Sequence, residues 1–220
     1  MTKIKAMVFD VYGTLFDVHS VQDACEQHFP EKGESISSVW RSKQLEYAFL
    51  RQLMGQYESF AQVTKDALDY SLEKHNCKYS DEIVQDLMQA YNQLQPYEET
   101  KEVLQHFQNR KLAVFSNGPH TMLEPLLQHA GLTEHFDAIV SVDEIKAYKP
   151  TTAAYAYVLK QLGVKREEVL FLSSNGWDIN GAANFGFHTA WINRNKLPAD
   201  KLGQELDKVY HDLNGIKGDW

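Results

Sequence analysis

The stretch "KAMVFDVYGTLFD", residues 5–17, decides the fold. Its apolar run, Ala6-Met7-Val8-Phe9, has no polar residue at alternate positions, the pattern of a strand buried on both faces. The run stops at Asp10, and Gly13-Thr14 supply a turn. An acid at the tip of a buried strand needs a reason to be there. So does Tyr12, an aromatic two places on.

Beyond this stretch, the next strand-like run is far away. Residues 20–95 contain no convincing strand. Apolar residues recur at helical spacing in Trp40–Leu53, in Phe60–Leu72 and again through Ile83, Val84, Leu87, Met88, Tyr91 and Leu94. Ser59 and Ser80 stand where helix N-caps are expected. From Pro96 the texture alternates. Helices near 97–109, 121–130, 152–162 and 179–185 precede short apolar strands at 112–115, 138–140, 169–172 and 188–192 respectively. Alternating helices and strands predict an α/β fold, a parallel Rossmann-like sheet covered on both faces. The helical stretch is then an insertion after the first strand. The expected division is an α/β core of residues 1–17 plus 96–220, and a helical-bundle cap domain of residues 18–95.

In such sheets ligands bind at the carboxyl ends of the strands. Those ends carry Asp10-Val11-Tyr12-Gly13-Thr14, Ser116-Asn117-Gly118, Tyr148-Lys149-Pro150 and Ser173-Ser174-Asn175-Gly176-Trp177-Asp178. Ser, Asn, Asp and Gly are also ordinary turn formers, but turns have no need of a lysine and two acids.

The bulk numbers set bounds. A chain of 220 residues, 43% hydrophobic, can bury one sizeable core or a core plus a small insert. A net charge of −8 argues against a nucleic-acid surface, and no apolar run is long enough for a membrane span. Cys25 and Cys77 are too few for a disulfide framework or a zinc site, and the nine histidines are scattered. With no leader-like pattern, a cytoplasmic protein is expected.

The ordered motifs "FDVYGTLFD", "FSNG", "YKP" and "SSNGWD", with a helical insert containing "WRSKQLEYAFLRQLMGQY", resemble the haloacid dehalogenase superfamily and, within it, the L-2-haloacid dehalogenases. The likeness covers essentially the whole chain. A phosphatase of that superfamily would carry a second acid at position 12 and usually an acidic magnesium ligand near Ser173-Ser174. Magnesium wants hard oxygen ligands, and here the chain has Tyr12 and Ser173-Ser174-Asn175, so no metal and no cofactor are expected. Lys149 is expected near Asp10 and Asp178, offsetting their charge.

The resemblance implies hydrolytic removal of halide from C2 of a short L-2-haloalkanoic acid, giving the D-2-hydroxy acid. Asp10 is the implied nucleophile, forming an ester, and Asp178 orients or deprotonates the water that opens it, with Asn175 and Ser173 or Ser174. Thr14 is expected to hold Asp10. Arg41 and Asn117 would cradle the departing halide, and Ser116 with the amides after Asp10, including Val11, would hold the substrate carboxylate. Tyr155 matches a family position that supports the site, while Tyr12, Trp177, Leu45 and Phe60 would surround the alkyl chain. Ser42 departs from the family, whose members carry a longer polar residue there, which bears on pocket size. The implied partners are the haloacid, the halide and a second copy in a homodimer. The competing readings are a magnesium-dependent small-molecule phosphatase and a catalytically silent binding protein of the same fold.

Overall fold

A computed structural model of the chain describes residues 3–220. Its centre is a six-stranded, wholly parallel sheet in the order β3-β2-β1-β4-β5-β6. The strands are β1 (Ala6–Phe9), β2 (Lys111–Ser116), β3 (Ala138–Ser141), β4 (Val169–Ser173), β5 (His188–Ile192) and β6 (Lys208–Tyr210). All four β1 residues are fully buried. Burying each large apolar side chain contributes on the order of 1.5–3 kcal/mol, which explains why the opening run lies mid-sheet.

Helices α1 (Gln22–His28), α2 (Gly33–Leu53), α3 (Phe60–Lys74) and α4 (Asp81–Tyr91) all fall between β1 and β2. Ser59 and Ser80 cap α3 and α4, accepting from the Gln62 and Ile83 amides. The other four α-helices among the described residues are α5 (Thr100–His106), α6 (His120–His129), α7 (Thr152–Leu162) and α8 (Gly176–Phe185).

Several details differ from the sequence expectation. Helix α5 starts at Thr100, because Pro96 forms an antiparallel bridge to Phe16 and the Tyr97 amide donates to the Leu15 carbonyl. Helix α2 starts earlier than Trp40. Helix α1 has too weak a pattern to be seen in the sequence, its seven residues burying only Cys25. Strand β6 is equally silent, since its three residues are an exposed or half-buried edge. Trp177 and Asp178 lie in the first turn of α8 rather than in a strand-end loop, with Asn175 at the N-cap.

Strand β1 sits between β2 and β4, with Phe9 opposite both Val114 and Leu172. One step further on, the Asp10 amide donates to the Leu172 carbonyl at 2.9 Å. The chain then turns at Gly13, whose φ of +88° is strained for any side chain, and a Cβ there would sit 3.1 Å from Ser174 Oγ. The Asp10 loop and the loop after β4 are therefore held in contact.

Candidate active site

Asp10 is only 4% exposed, yet its carboxylate is well supplied with donors. The Lys149 ammonium donates to Asp10 Oδ1 at 2.8 Å. Thr14 Oγ1 and Asn175 Nδ2 donate to Asp10 Oδ2 at 2.9 and 2.8 Å, and Ser173 Oγ lies 3.3 Å from the same oxygen. Thr14 Oγ1 also accepts the Ser174 amide at 2.8 Å and lies 3.3 Å from Ser174 Oγ. Oδ2 is thus the crowded oxygen and Oδ1 the one left open to an incoming group.

Lys149 is fully used. Its other contacts are Asp178 Oδ2 at 2.6 Å and the Phe115 carbonyl at 3.1 Å. Burial alone would lower its pKa, but the Asp10 and Asp178 charges outweigh burial and raise it, so the ammonium stays charged. Asp178 has no exposed surface. Burial pushes its pKa up to about 6; the Lys149 charge opposes this, Asp10 adds to it, and hydrogen bonds from Lys149 and Tyr155 lower it. Tyr155 donates to Asp178 Oδ1 at 2.7 Å. Burial and the neighbouring carboxylates hold that phenol well above its usual range, keeping it a donor.

An ammonium between two carboxylates, with a neutral aromatic at position 12, does not fit a magnesium ion, which needs those oxygens for itself. Burial raises the Tyr12 phenol well above its ordinary pKa, so it offers no anionic ligand.

The cleft over Asp10 is lined by Tyr12, Arg41, Leu45, Phe60, Ser116, Asn117, Lys149, Asn175 and Trp177. Nearly every residue expected from the sequence to touch substrate is here. Arg41 reaches across from α2 and donates to Asn175 Oδ1 at 3.2 Å. Asn117 Oδ1 accepts the Lys149 amide at 2.9 Å, leaving its NH2 group for the cleft. Ser116 Oγ accepts the Gly118 amide at 3.1 Å, leaving its proton to donate.

Two of the expected residues present no side chain to the cleft. Tyr155 does not line the cleft; it lies beneath Asp178, among Phe115, Phe171, Phe185 and Phe187. The Val11 side chain is fully buried in the core and only its backbone faces the loop. Asp178 also lies behind the cleft wall rather than in it, linked to Asp10 through Lys149 and through Ser173 Oγ, 3.3 Å from each carboxylate. Ser174 acts through its amide on Thr14.

The sequence reading missed a buried polar chain in the helical insert. Gln44, on the same face as Arg41, accepts from Arg41 Nη1 at 2.8 Å and from the Tyr91 hydroxyl at 3.0 Å. It donates to Thr64 Oγ1 at 2.7 Å, which in turn donates to the Phe60 carbonyl. The only available signal was Gln44's i+3 spacing from Arg41. Arg194 was missed as well. It donates to the Thr14 carbonyl at 3.0 Å, pairs with Glu99 at 2.7 Å and stacks over Tyr97, bracing the nucleophile loop from β5.

The cleft has a volume of about 10 Å³, room for about one water. A larger guest requires Arg41 and Asn175 to part or Trp177 to move.

Comparison with known proteins bears on this arrangement. The family model for haloacid dehalogenase-like hydrolase matches residues 4–186. The (S)-2-haloacid dehalogenase of Xanthobacter autotrophicus is 49% identical over 203 residues, 92% of this chain and 79% of that one. Haloacetate dehalogenase H-2 of a Moraxella species is 43% identical over 218 residues, 98% of this chain and 97% of that one. The L-2-haloacid dehalogenase of X. autotrophicus with chloropropionic acid covalently bound superposes with a TM-score of 0.93 at 41% identity, covering 98% of this chain and 97% of the other.

Proposed function

The chain belongs to the haloacid dehalogenase-like hydrolases, and on that premise we propose how its site works as an (S)-2-haloacid dehalogenase. It hydrolyses the carbon–halogen bond of short L-2-haloalkanoic acids, giving D-2-hydroxy acids. The observation that carries this reading is the Lys149 ammonium 2.8 Å from Asp10 and 2.6 Å from Asp178, with Tyr12 where a phosphatase would hold its second acid.

Asp10 Oδ1 attacks C2 from the side opposite the halogen. The new C–O bond forms as the halide leaves with the bonding pair, and the centre inverts. Arg41, with the free NH2 of Asn117, meets the charge developing on the halide. Ser116 and the loop amides of residues 11–12, which have no carbonyl partner among the described hydrogen bonds, hold the substrate carboxylate. Tyr12, Leu45, Phe60 and Trp177 surround the alkyl part.

Water then adds to Cγ of the Asp10 ester and gives a proton to Ser173 Oγ, which passes its own proton to Asp178 Oδ2, 3.3 Å away. The oxyanion forms on Oδ2, where the Thr14 and Asn175 donors already point. Collapse breaks the Cγ–Oδ1 bond. Oδ1 departs with C2 and is protonated as the hydroxyl of the product, and one proton passes to solvent with the halide. Esterification removes the Asp10 charge, leaving Lys149 and Asp178 as a neutral pair while the second step proceeds.

The protein is expected to work in the cytoplasm as a homodimer. Leu50, Met54 and Tyr70 of the helical insert are exposed and support a second copy as the partner. The test of the function is halide release from racemic 2-chloropropionate with chiral analysis of the lactate. Consumption of the L substrate alone, giving D-lactate, is expected. Release of phosphate from p-nitrophenyl phosphate with magnesium, and no halide, would favour the phosphatase instead.

A further inference from the structure

Trp177 divides two spaces. On one side is the cleft of about 10 Å³, and on the other a groove of about 300 Å³ between the end of α2 and the Tyr148–Thr151 loop. Trp177 and Lys149 line both. The groove is about twice the size of an engineered cavity that takes up benzene. Phe49 lines it edge-on to Trp177 at 5.1 Å, and Leu53, 83% exposed, lines it as well.

The polar side chains in this groove are already engaged. Gln52 Oε1 accepts the Tyr148 amide at 2.7 Å, Tyr148 Oη donates to the Glu58 carbonyl at 2.6 Å, and Thr151 Oγ1 donates to the Tyr148 carbonyl at 2.7 Å. What remains is apolar surface beside the reacting centre. The partition itself has no polar anchor. Trp40, Trp191 and Trp220 each donate their indole N–H to an oxygen, whereas Trp177 Nε1 is buried without a partner among the described residues. Its position rests on packing, with the Lys149 ammonium 5.9 Å from the ring centroid.

We propose that this groove is a subsite for the alkyl tail of longer 2-haloalkanoic acids, with Trp177 as the partition that limits its use. The inference rests on the dehalogenase reading above. Within the cleft, the side of Ser116, Asn117 and Arg41 is taken by carboxylate and halide. The carbon chain then lies among Tyr12, Leu45, Phe60 and Trp177, and of these Trp177 also lines the groove. Each methylene moved from water into such a groove is worth about a fourfold gain in binding.

The experiment compares kcat/KM for 2-bromopropanoate, 2-bromohexanoate and 2-bromooctanoate in the native enzyme and in Trp177→Phe and Trp177→Ala. The ratio of long-chain to short-chain activity should rise from Trp to Phe to Ala, by about tenfold or more in Ala. Adding Leu53→Trp to Trp177→Ala fills the outer groove and should return the ratio towards its native value. A ratio unchanged across the series, or one indifferent to Leu53→Trp, overturns the proposal. Calorimetric binding of butanoate and octanoate to the same proteins reads the preference without chemistry, so a variant that binds but does not turn over still decides the question. Native enzyme that releases no halide from any substrate defeats the dehalogenase reading. The octanoate-to-butanoate ratio still judges the groove in that case.

Discussion

Replacing Tyr155 with Phe removes one hydroxyl and little else. The ring packs among Phe115, Phe171, Phe185 and Phe187 at centroid distances of 5.8–6.0 Å, an environment that accepts Phe unchanged. The lost group is the donor to Asp178 Oδ1 at 2.7 Å. A hydrogen bond to a charged group contributes about 1.5–3 kcal/mol, and one pKa unit corresponds to about 1.4 kcal/mol. That donor favours the ionised carboxylate, so its loss raises the Asp178 pKa by roughly 1–2 pKa units, in the ester as in the free enzyme. Asp178 must be ionised to accept the proton from water, so the acid limb of the pH–rate profile should move up by the same amount. On the acid limb the variant should lose roughly tenfold to a hundredfold in rate and recover fully at the alkaline end. The assay is single-turnover decay of the ester followed from pH 5 to 10. An acid limb that stays in place, with a uniform loss at every pH, would refute the assignment of Asp178 as the base and of Tyr155 as the group that tunes it.

Other consequences concern the metal, the halide and the packing beneath the site. Dehalogenation should survive EDTA, because Lys149 stands where a metal's charge would be needed; loss on chelation and recovery with magnesium would contradict this. Arg41→Ala should slow release of chloride more than release of iodide, the better leaving group, and equal losses for both halides would remove Arg41 from the halide cradle. At Gly181, an added Cβ would lie 2.5 Å from Tyr155 Oη and 2.6 Å from Pro150 Cβ. Gly181→Ala should therefore destabilise the fold in urea by about 1–3 kcal/mol and shift the acid limb upward, as Tyr155→Phe does.

The sheet and the positions of the candidate site residues were legible in the sequence for one reason: both are local. A buried parallel strand is a continuous apolar run, and the site is built on the residues at its carboxyl end. Asp10, Ser116, Lys149 and Ser173 could therefore be read off four strand ends. The illegible part depends on which face of a helix meets which neighbour. Gln44 and Thr64 look like solvent-facing residues of amphipathic helices, yet they are fully buried because Arg41, Tyr91 and the Phe60 carbonyl turn inward to meet them. The position of Asp178 behind the cleft wall follows from α8 starting at Gly176, two residues before it, and that of Tyr155 from α7 packing against α8, neither of which the motifs signal. Arg194 acts across the sheet, from the end of β5 to the Thr14 carbonyl, a contact 180 residues apart in sequence that no local pattern signals.

The central claim is that Asp10 is a nucleophile whose ester is opened at its own carbonyl carbon. A single turnover with enzyme in excess, run in H₂¹⁸O, tests it most directly. The account predicts unlabelled hydroxy acid and one ¹⁸O in the peptide that carries Asp10, because the first product takes Oδ1 and the water oxygen stays behind. Inversion at C2 cannot separate this route from direct attack of water, since both invert the centre once. A labelled hydroxy acid with an unlabelled Asp10 peptide would contradict the account and leave Asp10 as a base.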